Sequence, residues 1–332
     1  MKSFNYCQNK LTNYEMEAGI RLISVVVPCY NESSCINQFY DVITEVFAKY
    51  QDYQYELIFV NDGSKDNTAD LLWDLKKQDG HVKIVDFSRN FGKEAALTAG
   101  LRASAGDVVV PIDADLQHPP EVIFALLERY LEGDVDVVVA LRKSRDIESW
   151  LYKKLTRCFY KIENAISECE MMPDAGDFRL MSREVADVLS NMPESRRFMK
   201  GLYAWVGYKV ATIPYEVAER VSGESKFSAT RLLALATNGL LDFSSFPLRM
   251  WMLLGGFVSL ISFIYGLWIV IRTVFWGVDF PGYASILCAI LFLGGVQLIS
   301  IGVLGEYIGR SYSEIKGRPA YIVRKTSSVK RK

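Results

Sequence analysis

Two long uncharged stretches near the C-terminal end constrain this chain more than any other feature. Residues 250–271 are 22 residues without a charge, and residues 280–305 are 26 more. As helices they would measure about 33 and 39 Å, against about 30 Å of hydrocarbon in a bilayer. The alternative, a pair of buried helices in a soluble protein, seldom has such charge-free runs. We therefore predict a two-helix transmembrane hairpin, with spans at about 250–272 and 280–305.

The distribution of charge orients this hairpin. The last fifteen residues carry six basic side chains and no acidic one, and Arg249 precedes the first span. By the positive-inside rule, both ends of the hairpin face the cytoplasm. We predict a basic cytoplasmic tail over 306–332. The polar N-terminal extension, 1–19, has no apolar run typical of a cleavable signal, so the N-terminal domain is also expected in the cytoplasm.

Composition excludes several classes of function. The chain has 38 Lys and Arg against 39 Asp and Glu, a net charge of −1, which argues against nucleic acid as a partner. It has two histidines, His81 and His118, too few for a multi-histidine zinc site. Its six cysteines show no C-x-x-C spacing, and we interpret them as reduced thiols.

Residues 20–142 alternate short β-branched runs with amphipathic segments. The runs predict strands at 22–27, 56–60, 82–87, 108–112 and 135–141. The amphipathic segments predict helices at 34–49, 68–78, 93–103 and 120–131. Such alternation is typical of an α/β fold with a mostly parallel sheet, which binds ligands at the carboxyl ends of its strands.

The most informative motif follows the fourth predicted strand. As an extended segment, residues 113–117 would point Asp113, Asp115 and Gln117 to one face. Two carboxylates and an amide suit Mg²⁺ or Mn²⁺, with positions left for phosphate oxygens. The alternative is that Asp115 only caps the next helix. No G-x-G-x-x-G or Walker motif is present, so a metal at this motif is the remaining means of holding a nucleotide.

Polar residues also follow three other predicted strands, and each of these residues has two possible roles. Asp62 lies in a good turn sequence, so it either shapes the turn or accepts hydrogen bonds from a nucleoside. Glu32 either contacts a base or starts a helix. Arg142 heads a small basic cluster that is either solvated surface or a phosphate clamp.

Two further segments are candidates for the membrane surface. Residues 147–168 have apolar positions at spacings of three and four and a basic opposite face, which predicts an amphipathic interface helix or one packed on the α/β domain. Residues 228–249 are nearly uncharged and run into the first span. They predict a juxtamembrane amphipathic helix.

Four motifs together resemble one protein family. They are V-P-C-Y-N-E at 27–32, V-N-D-G-S at 60–64, D-A-D-L-Q at 113–117 and R-V-S-G-E-S-K-F at 220–227. This combination looks like the polyprenyl-phosphate glycosyltransferases, GT-A members of glycosyltransferase family two, and most like the bactoprenol glucosyltransferase branch. The resemblance covers about residues 20–310. It implies a Rossmann-like GT-A catalytic domain over 20–227.

The resemblance also implies roles for individual residues. Residues that would hold the nucleotide are Pro28, Tyr30, Glu32, Asp62, Asp113 and Arg142. Asp115 and Gln117 would bind Mg²⁺ or Mn²⁺, and Asp113, Asp115, Asp177 and Arg179 would form the catalytic set. Residues that would bind the acceptor or its phosphate are Arg142, Arg220, Ser225 and Lys226. A second phosphate-binding cation has two candidates, Lys154 and Arg157.

The implied reaction is an inverting transfer of a hexose, glucose by resemblance, from a UDP-sugar to undecaprenyl phosphate. It would take place at the cytoplasmic face of the bacterial inner membrane, in a multi-pass homo-oligomer with a tetramer as one option. The product would serve cell-surface glycan modification, such as that of the lipopolysaccharide O-antigen. The alternatives are a polyprenyl-phosphate mannose or aminoarabinose-type transferase and, in another class, a non-catalytic membrane scaffold. A processive synthase is disfavoured because Q-x-x-R-W is absent.

Overall fold

The computed structural model describes residues 20–142, 172, 175–195, 197–216, 246–276 and 282–327. The described residues up to Glu216, together with 319–327, belong to one compact unit, and the two long C-terminal helices belong to a second. Several predicted segments lie outside the described residues. They are the extension 1–19, the interface helix 147–168 and positions 228–245 of the juxtamembrane helix.

The N-terminal half alternates strands and helices as its sequence predicts. The strands are β1 (Leu22–Cys29), β2 (Gln54–Asn61), β3 (Val82–Phe87), β4 (Val108–Pro111) and β5 (Val137–Arg142). The helices between them are α1 (Ile36–Ala48), α2 (Thr68–Gln78), α3 (Lys93–Ala103) and α4 (Val122–Leu131). All nine predicted elements are confirmed, and their ends differ from the predicted positions by no more than two residues.

The structure adds elements that the sequence did not predict. They are β6 (Ala175–Ser182), α5 (Arg183–Asn191), α6 (Met199–Trp205), β7 (Val210–Tyr215) and β8 (Val323–Thr326). The eight strands form one sheet in the order β7-β5-β6-β4-β1-β2-β3-β8. Strand β6 runs antiparallel to β4 and β5, and β8 runs antiparallel to β3. The other pairs are parallel, so the mostly parallel α/β sheet is confirmed.

Helices cover both faces of the central strands. On one face, Phe39 of α1 packs edge-on against Phe59 of β2, with ring centroids 6.1 Å apart. On the other face, α3 lies so close to β1 that a Cβ on Gly100 would be 2.1 Å from Val26 Cγ1. This glycine therefore lets α3 approach the centre of the sheet. The approach fixes the start of α3, at Lys93, beside the carboxyl ends of the strands.

Two long helices follow: α7 (Phe246–Trp276) and α8 (Tyr283–Ile315). They contain the predicted first span and most of the second, and apolar side chains such as Phe263 and Leu298 are exposed on them. Within the part of the chain that the structure describes, one helical stretch, Phe292–Ile315, is long and apolar enough to cross a membrane.

The predicted basic tail has more structure than its charge suggests. Helix α8 continues to Ile315, and residues 323–326 form β8 at the edge of the eight-stranded sheet. The basic side chains of this strand find partners on the domain, because Arg324 pairs with Asp86 and Lys325 lies over the Trp73 ring. Charge alone does not reveal such partners, which lie more than 200 positions away in the sequence.

Candidate active site

The polar loops converge where the strand order changes direction. Strand β1 lies between β2 and β4, and the carboxyl ends of all three open on the same edge. The loop at 30–32 follows β1, the turn at 61–64 follows β2, and Asp113 follows β4. In open α/β sheets a crevice forms at this switch point, and ligands bind there.

The first two loops are tied together through Asn31. Its backbone has a φ of 58°, in the left-handed region that asparagine tolerates better than most residues. Its side-chain Oδ1 accepts a hydrogen bond from Lys65 N at 2.8 Å, and its own N–H donates to Ser64 Oγ at 3.0 Å. This arrangement leaves Tyr30 exposed and Pro28 half-buried at the crevice.

Asp62 holds the loop that follows β3. Its carboxylate is buried and accepts hydrogen bonds from the N–H groups of Phe91 at 2.6 Å and Gly92 at 2.9 Å. Burial raises the pKa of Asp62, and these two bonds offset part of that effect. The structure therefore gives Asp62 a structural role, which extends beyond its own turn to the loop at Phe91 and Gly92. Its contact with a nucleoside stays a prediction.

The D-A-D-L-Q segment is not extended, as the same-face argument assumed. It turns at Ala114 and Asp115, and Leu116 has a φ of 58°. Burial still alternates, because Ala114 and Leu116 are buried whereas Asp113, Asp115 and Gln117 are half-buried. The three oxygen-bearing side chains therefore keep access to solvent. The residue before α4 is Glu121, so Asp115 does not cap that helix.

Lys93 joins two carboxylates, one in the loop after β4 and one on β6. Its Nζ lies 2.7 Å from Asp113 Oδ1 and 2.9 Å from Asp177 Oδ2, and its side chain is 44% exposed. Burial works to lower the pKa of Lys93, but the two carboxylates raise it above its usual value. Burial likewise works to raise the pKa of Asp113, but Lys93 and His118 hold it well below the usual range. Lys93 and Asp113 are therefore both charged at neutral pH.

His118 lies on the other side of Asp113. Its Nε2 is 3.7 Å from Asp113 Oδ2, and its Nδ1 is 2.7 Å from the hydroxyl of Tyr215, at the end of β7. Burial raises the pKa of Tyr215, and a hydrogen bond with Arg142 acts in the opposite direction. Arg142, a predicted phosphate ligand, is thus connected to Asp113 through Tyr215 and His118.

The two predicted catalytic residues of β6 differ in accessibility. Asp177 contacts Lys93 at the crevice. Arg179 is 5% exposed, donates to Gly176 O at 2.7 Å and stacks over Tyr203 at 3.5 Å. Burial lowers the pKa of this guanidinium. Arg179 is therefore placed to support the start of β6, which carries Asp177, and its contact with an acceptor stays a prediction.

The structure also identifies site residues that the sequence analysis missed. They are Lys93, Glu94, His118 and Tyr215. Lys93 and Glu94 follow the third strand of a parallel sheet, so the rule that located the other loops could have found them. His118 and Tyr215 are 97 residues apart, and no local pattern connects them. The predicted acceptor residues Arg220, Ser225 and Lys226, with Lys154 and Arg157, lie outside the described residues.

The residues at 113–117 fit a hard divalent cation only in part. Across the described ranges, no group of three or more His, Cys, Asp or Glu side chains is arranged to hold a metal. The half-buried carboxylates of Asp113 and Asp115 offer the oxygen donors that Mg²⁺ and Mn²⁺ prefer. Mg²⁺ commonly binds through one or two carboxylates plus substrate phosphates. The donor set thus suits a cation that is shared with a diphosphate.

Comparison with known proteins decides the family. The sequence model of Glycosyl transferase family 2 matches residues 24–189, from β1 to α5. The chain belongs to this family. A second model, the GtrB C-terminal hairpin, matches residues 246–311 of this glycosyltransferase. That match covers α7 and most of α8, and it accounts for the two long helices as a recognised family feature.

Relatives of this glycosyltransferase match it over nearly its whole length. The SfII prophage-derived bactoprenol glucosyl transferase of Shigella flexneri is 49% identical over 304 residues, 92% of this chain and 98% of the relative. The prophage bactoprenol glucosyl transferase homolog of Escherichia coli strain K12 is 46% identical over 303 residues, 91% of this chain and 98% of the relative. The resemblance seen in the sequence motifs is therefore confirmed.

A solved structure supports the fold of the catalytic unit. Glucosyl-3-phosphoglycerate synthase from Mycobacterium tuberculosis, crystallised with Mn²⁺, UDP and phosphoglyceric acid, matches with a TM-score of 0.50 and 20% sequence identity. The match covers 70% of this chain and 80% of the synthase. The GT-A-like α/β fold is therefore confirmed.

Proposed function

We propose that this glycosyltransferase moves a glucosyl group from UDP-glucose to undecaprenyl phosphate in one inverting step. One observation carries the proposal: the near full-length likeness to a bactoprenol glucosyl transferase. The crevice at 113–117 supplies the chemistry that such a reaction needs. It combines half-buried carboxylates with the cation Lys93 at the ligand-binding edge of the sheet.

On the donor side, the uridine would lie over the β1 and β2 loops. Tyr30 is exposed and offers a ring for stacking, and Pro28 and Glu32 flank it. Asp62 would contribute mainly by holding the backbone of Phe91 and Gly92. Arg142 would contact the diphosphate, since guanidinium groups pair with two phosphate oxygens at once.

A divalent cation, Mg²⁺ or Mn²⁺, would be held by Asp115 and Gln117, with Asp113 beside it. When bound, it would neutralise charge that develops on the departing diphosphate. Two side chains of the protein act on the carboxylate of Asp113. Lys93 keeps Asp113 ionised by contacting both of its oxygens, and His118 lies 3.7 Å from one of them.

On the acceptor side, an oxygen of the lipid phosphate would attack the anomeric carbon. A bond forms between that phosphate oxygen and the anomeric carbon. At the same time the bond between the anomeric carbon and the UDP oxygen breaks, and UDP leaves with the electron pair. A phosphate monoester is already anionic near neutral pH, so no strong general base is required.

The anionic acceptor must then approach the anionic donor diphosphate, which requires cations nearby. Asp177 would lie near the acceptor, with Arg179 supporting the start of β6, and Arg220, Ser225 and Lys226 would close over the site.

The hairpin explains how a water-soluble donor meets a lipid acceptor. We propose that α7 and α8 cross the bacterial inner membrane, with the catalytic unit and the C-terminus in the cytoplasm. The enzyme would work as a homo-oligomer, with a tetramer as one arrangement. Its product would feed cell-surface glycan modification, such as that of the lipopolysaccharide O-antigen.

Two alternative functions can be distinguished from the proposed one. A polyprenyl-phosphate mannose or aminoarabinose-type transferase would use the same acceptor with another donor. A non-catalytic scaffold is disfavoured, because the chain belongs to a glycosyltransferase family and its acidic motifs are intact.

The test is a transfer assay with purified full-length protein in detergent. Undecaprenyl phosphate is incubated with radiolabelled UDP-glucose, UDP-galactose, GDP-mannose or UDP-aminoarabinose, and the label in the organic phase is counted. The proposal predicts the fastest transfer from UDP-glucose, loss of transfer with EDTA and inversion at the anomeric carbon. Preference for another donor would replace glucose in the proposal, and a product with retained configuration would contradict the single displacement.

A further inference from the structure

The end of the chain completes the sheet of the catalytic unit. Strand β8 pairs antiparallel with β3, in a register that joins Val85 to Thr326 and Asp86 to Lys325. Side chains reinforce the pairing, since Ile84 N donates to Ser327 Oγ at 2.7 Å and Thr326 Oγ1 donates to Ile84 O at 3.0 Å. Seven residues separate the end of α8 from this strand. The segment after the hairpin is therefore an integral part of the catalytic sheet.

An ion pair between the exposed Arg324 and the buried carboxylate of Asp86 anchors the strand. Arg324 donates from Nε at 3.0 Å and from Nη2 at 2.7 Å to one oxygen of Asp86, whose side chain is 3% exposed. The other oxygen of Asp86 accepts a hydrogen bond from Asn61 Nδ2 at 2.7 Å. A buried carboxylate is costly unless it is paired, so removing Arg324 would leave Asp86 with the Asn61 bond and little compensation for its charge.

From Asn61 the contacts continue into the nucleotide-binding edge. Asn61 Oδ1 accepts a hydrogen bond from Ser64 N at 3.2 Å, which shapes the turn that carries Asp62. The turn lies directly against the next loop, because a Cβ on Gly63 would be 2.3 Å from the carbonyl carbon of Arg89. A shift of Asn61 would therefore move both loops.

A second route runs along β3. Ser88 N donates to Ile322 O at 3.0 Å, and the ring of Tyr321 stacks on Phe87 with centroids 4.9 Å apart. Phe87 in turn packs edge-on against Phe91 at 5.8 Å. Phe91 belongs to the loop that Asp62 binds, and that loop leads into Lys93. Both routes thus connect β8 to the same pair of loops.

We infer that β8 is a positioning strand for the donor site and that Arg324 is its positioning residue, acting on the UDP-binding loops through Asp86 and Asn61. The inference rests on the proposed function for the identity of the nucleotide. It assigns a role within the site to a segment that follows the membrane hairpin. An undocked C-terminal segment would leave the donor site with poorly placed loops.

The experiment compares full-length Arg324→Gln with Lys325→Gln. Both substitutions remove one positive charge from the same strand, but the ammonium of Lys325 lies over the ring of Trp73, whereas the guanidinium of Arg324 binds the carboxylate of Asp86. Calorimetry measures UDP binding in the presence of Mn²⁺, and transfer assays measure KM for each substrate. We expect Arg324→Gln to weaken UDP binding and raise KM for UDP-glucose by about tenfold. KM for undecaprenyl phosphate, and all constants of Lys325→Gln, should stay within about twofold.

Two more variants separate positioning from general loss of structure. Arg324→Lys keeps the charge but not the two-pronged geometry, so its UDP affinity should fall between wild type and Arg324→Gln. Adding Asp86→Asn to Arg324→Gln removes the unpaired buried charge and should recover part of the lost affinity. If Arg324→Gln does not fold, the comparison of Arg324→Lys with wild type carries the test.

The outcomes are distinct. Unchanged UDP affinity in a folded Arg324→Gln or Arg324→Lys variant would overturn the inference, as would equal rises in KM for both substrates. Wild-type protein that binds UDP but transfers no sugar to undecaprenyl phosphate would instead refute the proposed function and leave the strand's role in UDP binding open to the same measurement.

Discussion

The ammonium of Lys93 lies 2.7 Å from the carboxylate of Asp113 and so joins the first turn of α3 to the loop after β4. The same ammonium reaches Asp177 of β6 at 2.9 Å. One cation is therefore shared by a carboxylate on the donor side of the proposed reaction and one on the acceptor side. Lys93 lowers the pKa of Asp113 and holds the two carboxylates close together.

Replacing Lys93 should affect catalysis more than folding. We expect Lys93→Gln to lower kcat by about a hundredfold, the scale seen when one charge-stabilising group is removed from an active site. The reason is that Asp113 and Asp177 lose their shared counter-charge. The transfer assay with UDP-glucose measures the change, and Lys93→Arg is the matched control that keeps the charge. Wild-type kcat in Lys93→Gln would show that this bridge has no part in the reaction.

Glu94 makes stability depend on pH. Burial, together with the nearby Asp177, raises the pKa of Glu94 to about 7, from 4.5 for an unperturbed Glu. Between these two values the folded state binds more protons than the unfolded state, so its stability falls as pH rises and then levels off. The effect is about 3 kcal/mol, since the two values differ by about 2.5 units and one unit of pKa corresponds to about 1.4 kcal/mol.

Glu94→Gln isolates this effect. Gln keeps an oxygen that accepts the hydrogen bond from Met199 N, which Glu94 accepts at 3.0 Å. In thermal unfolding from pH 5 to pH 8, the stability of the variant should increase relative to that of wild type as pH rises. A constant difference between the two proteins across this range would contradict the raised pKa.

Gly63 should tolerate substitution less well than another glycine with a positive φ. Gly63 has a φ of 62°, and a Cβ there would meet the backbone of Arg89 at 2.3 Å. Gly133 has a φ of 82° but open space around it. We expect Gly133→Ala to cost about 1 kcal/mol of unfolding free energy, from backbone strain alone. Gly63→Ala should cost more than about 3 kcal/mol, because overpacking adds to the strain. Equal losses in denaturant unfolding would contradict the close packing of the two loops.

The sequence predicted the parallel core well, for a physical reason. Strands buried on both faces need continuous β-branched runs, and the segments at 82–87 and 108–112 contain them. The segment Ala175–Ser182 has no such run, and its place between β4 and β5 depends on long-range pairing. The charged strand Val323–Thr326 gave no strand signal, because its partners are β3 and Asp86, far away in the sequence.

Prediction of the site residues had the same limit, because local patterns do not show long-range contacts. Asp113, Asp115 and Gln117 were predicted because they alternate just after a buried strand, at the edge of the sheet where ligands bind. Lys93 was missed because its importance comes from Asp113 and Asp177, which lie 20 and 84 positions further along the chain. Asp62 showed turn chemistry in the sequence, but its bonds to Phe91 and Gly92 arise from packing between loops.

The most direct measurement compares wild type with Asp115→Ala, each with Mg²⁺ and with EDTA, in the transfer of label from UDP-glucose to undecaprenyl phosphate. The account predicts organic-soluble product from wild type with Mg²⁺ and at least about a hundredfold less in the other three conditions, with Asp115→Ala folded and inserted in the membrane. Near-normal turnover by Asp115→Ala, or by wild type in EDTA, would contradict a metal-dependent transfer at this crevice.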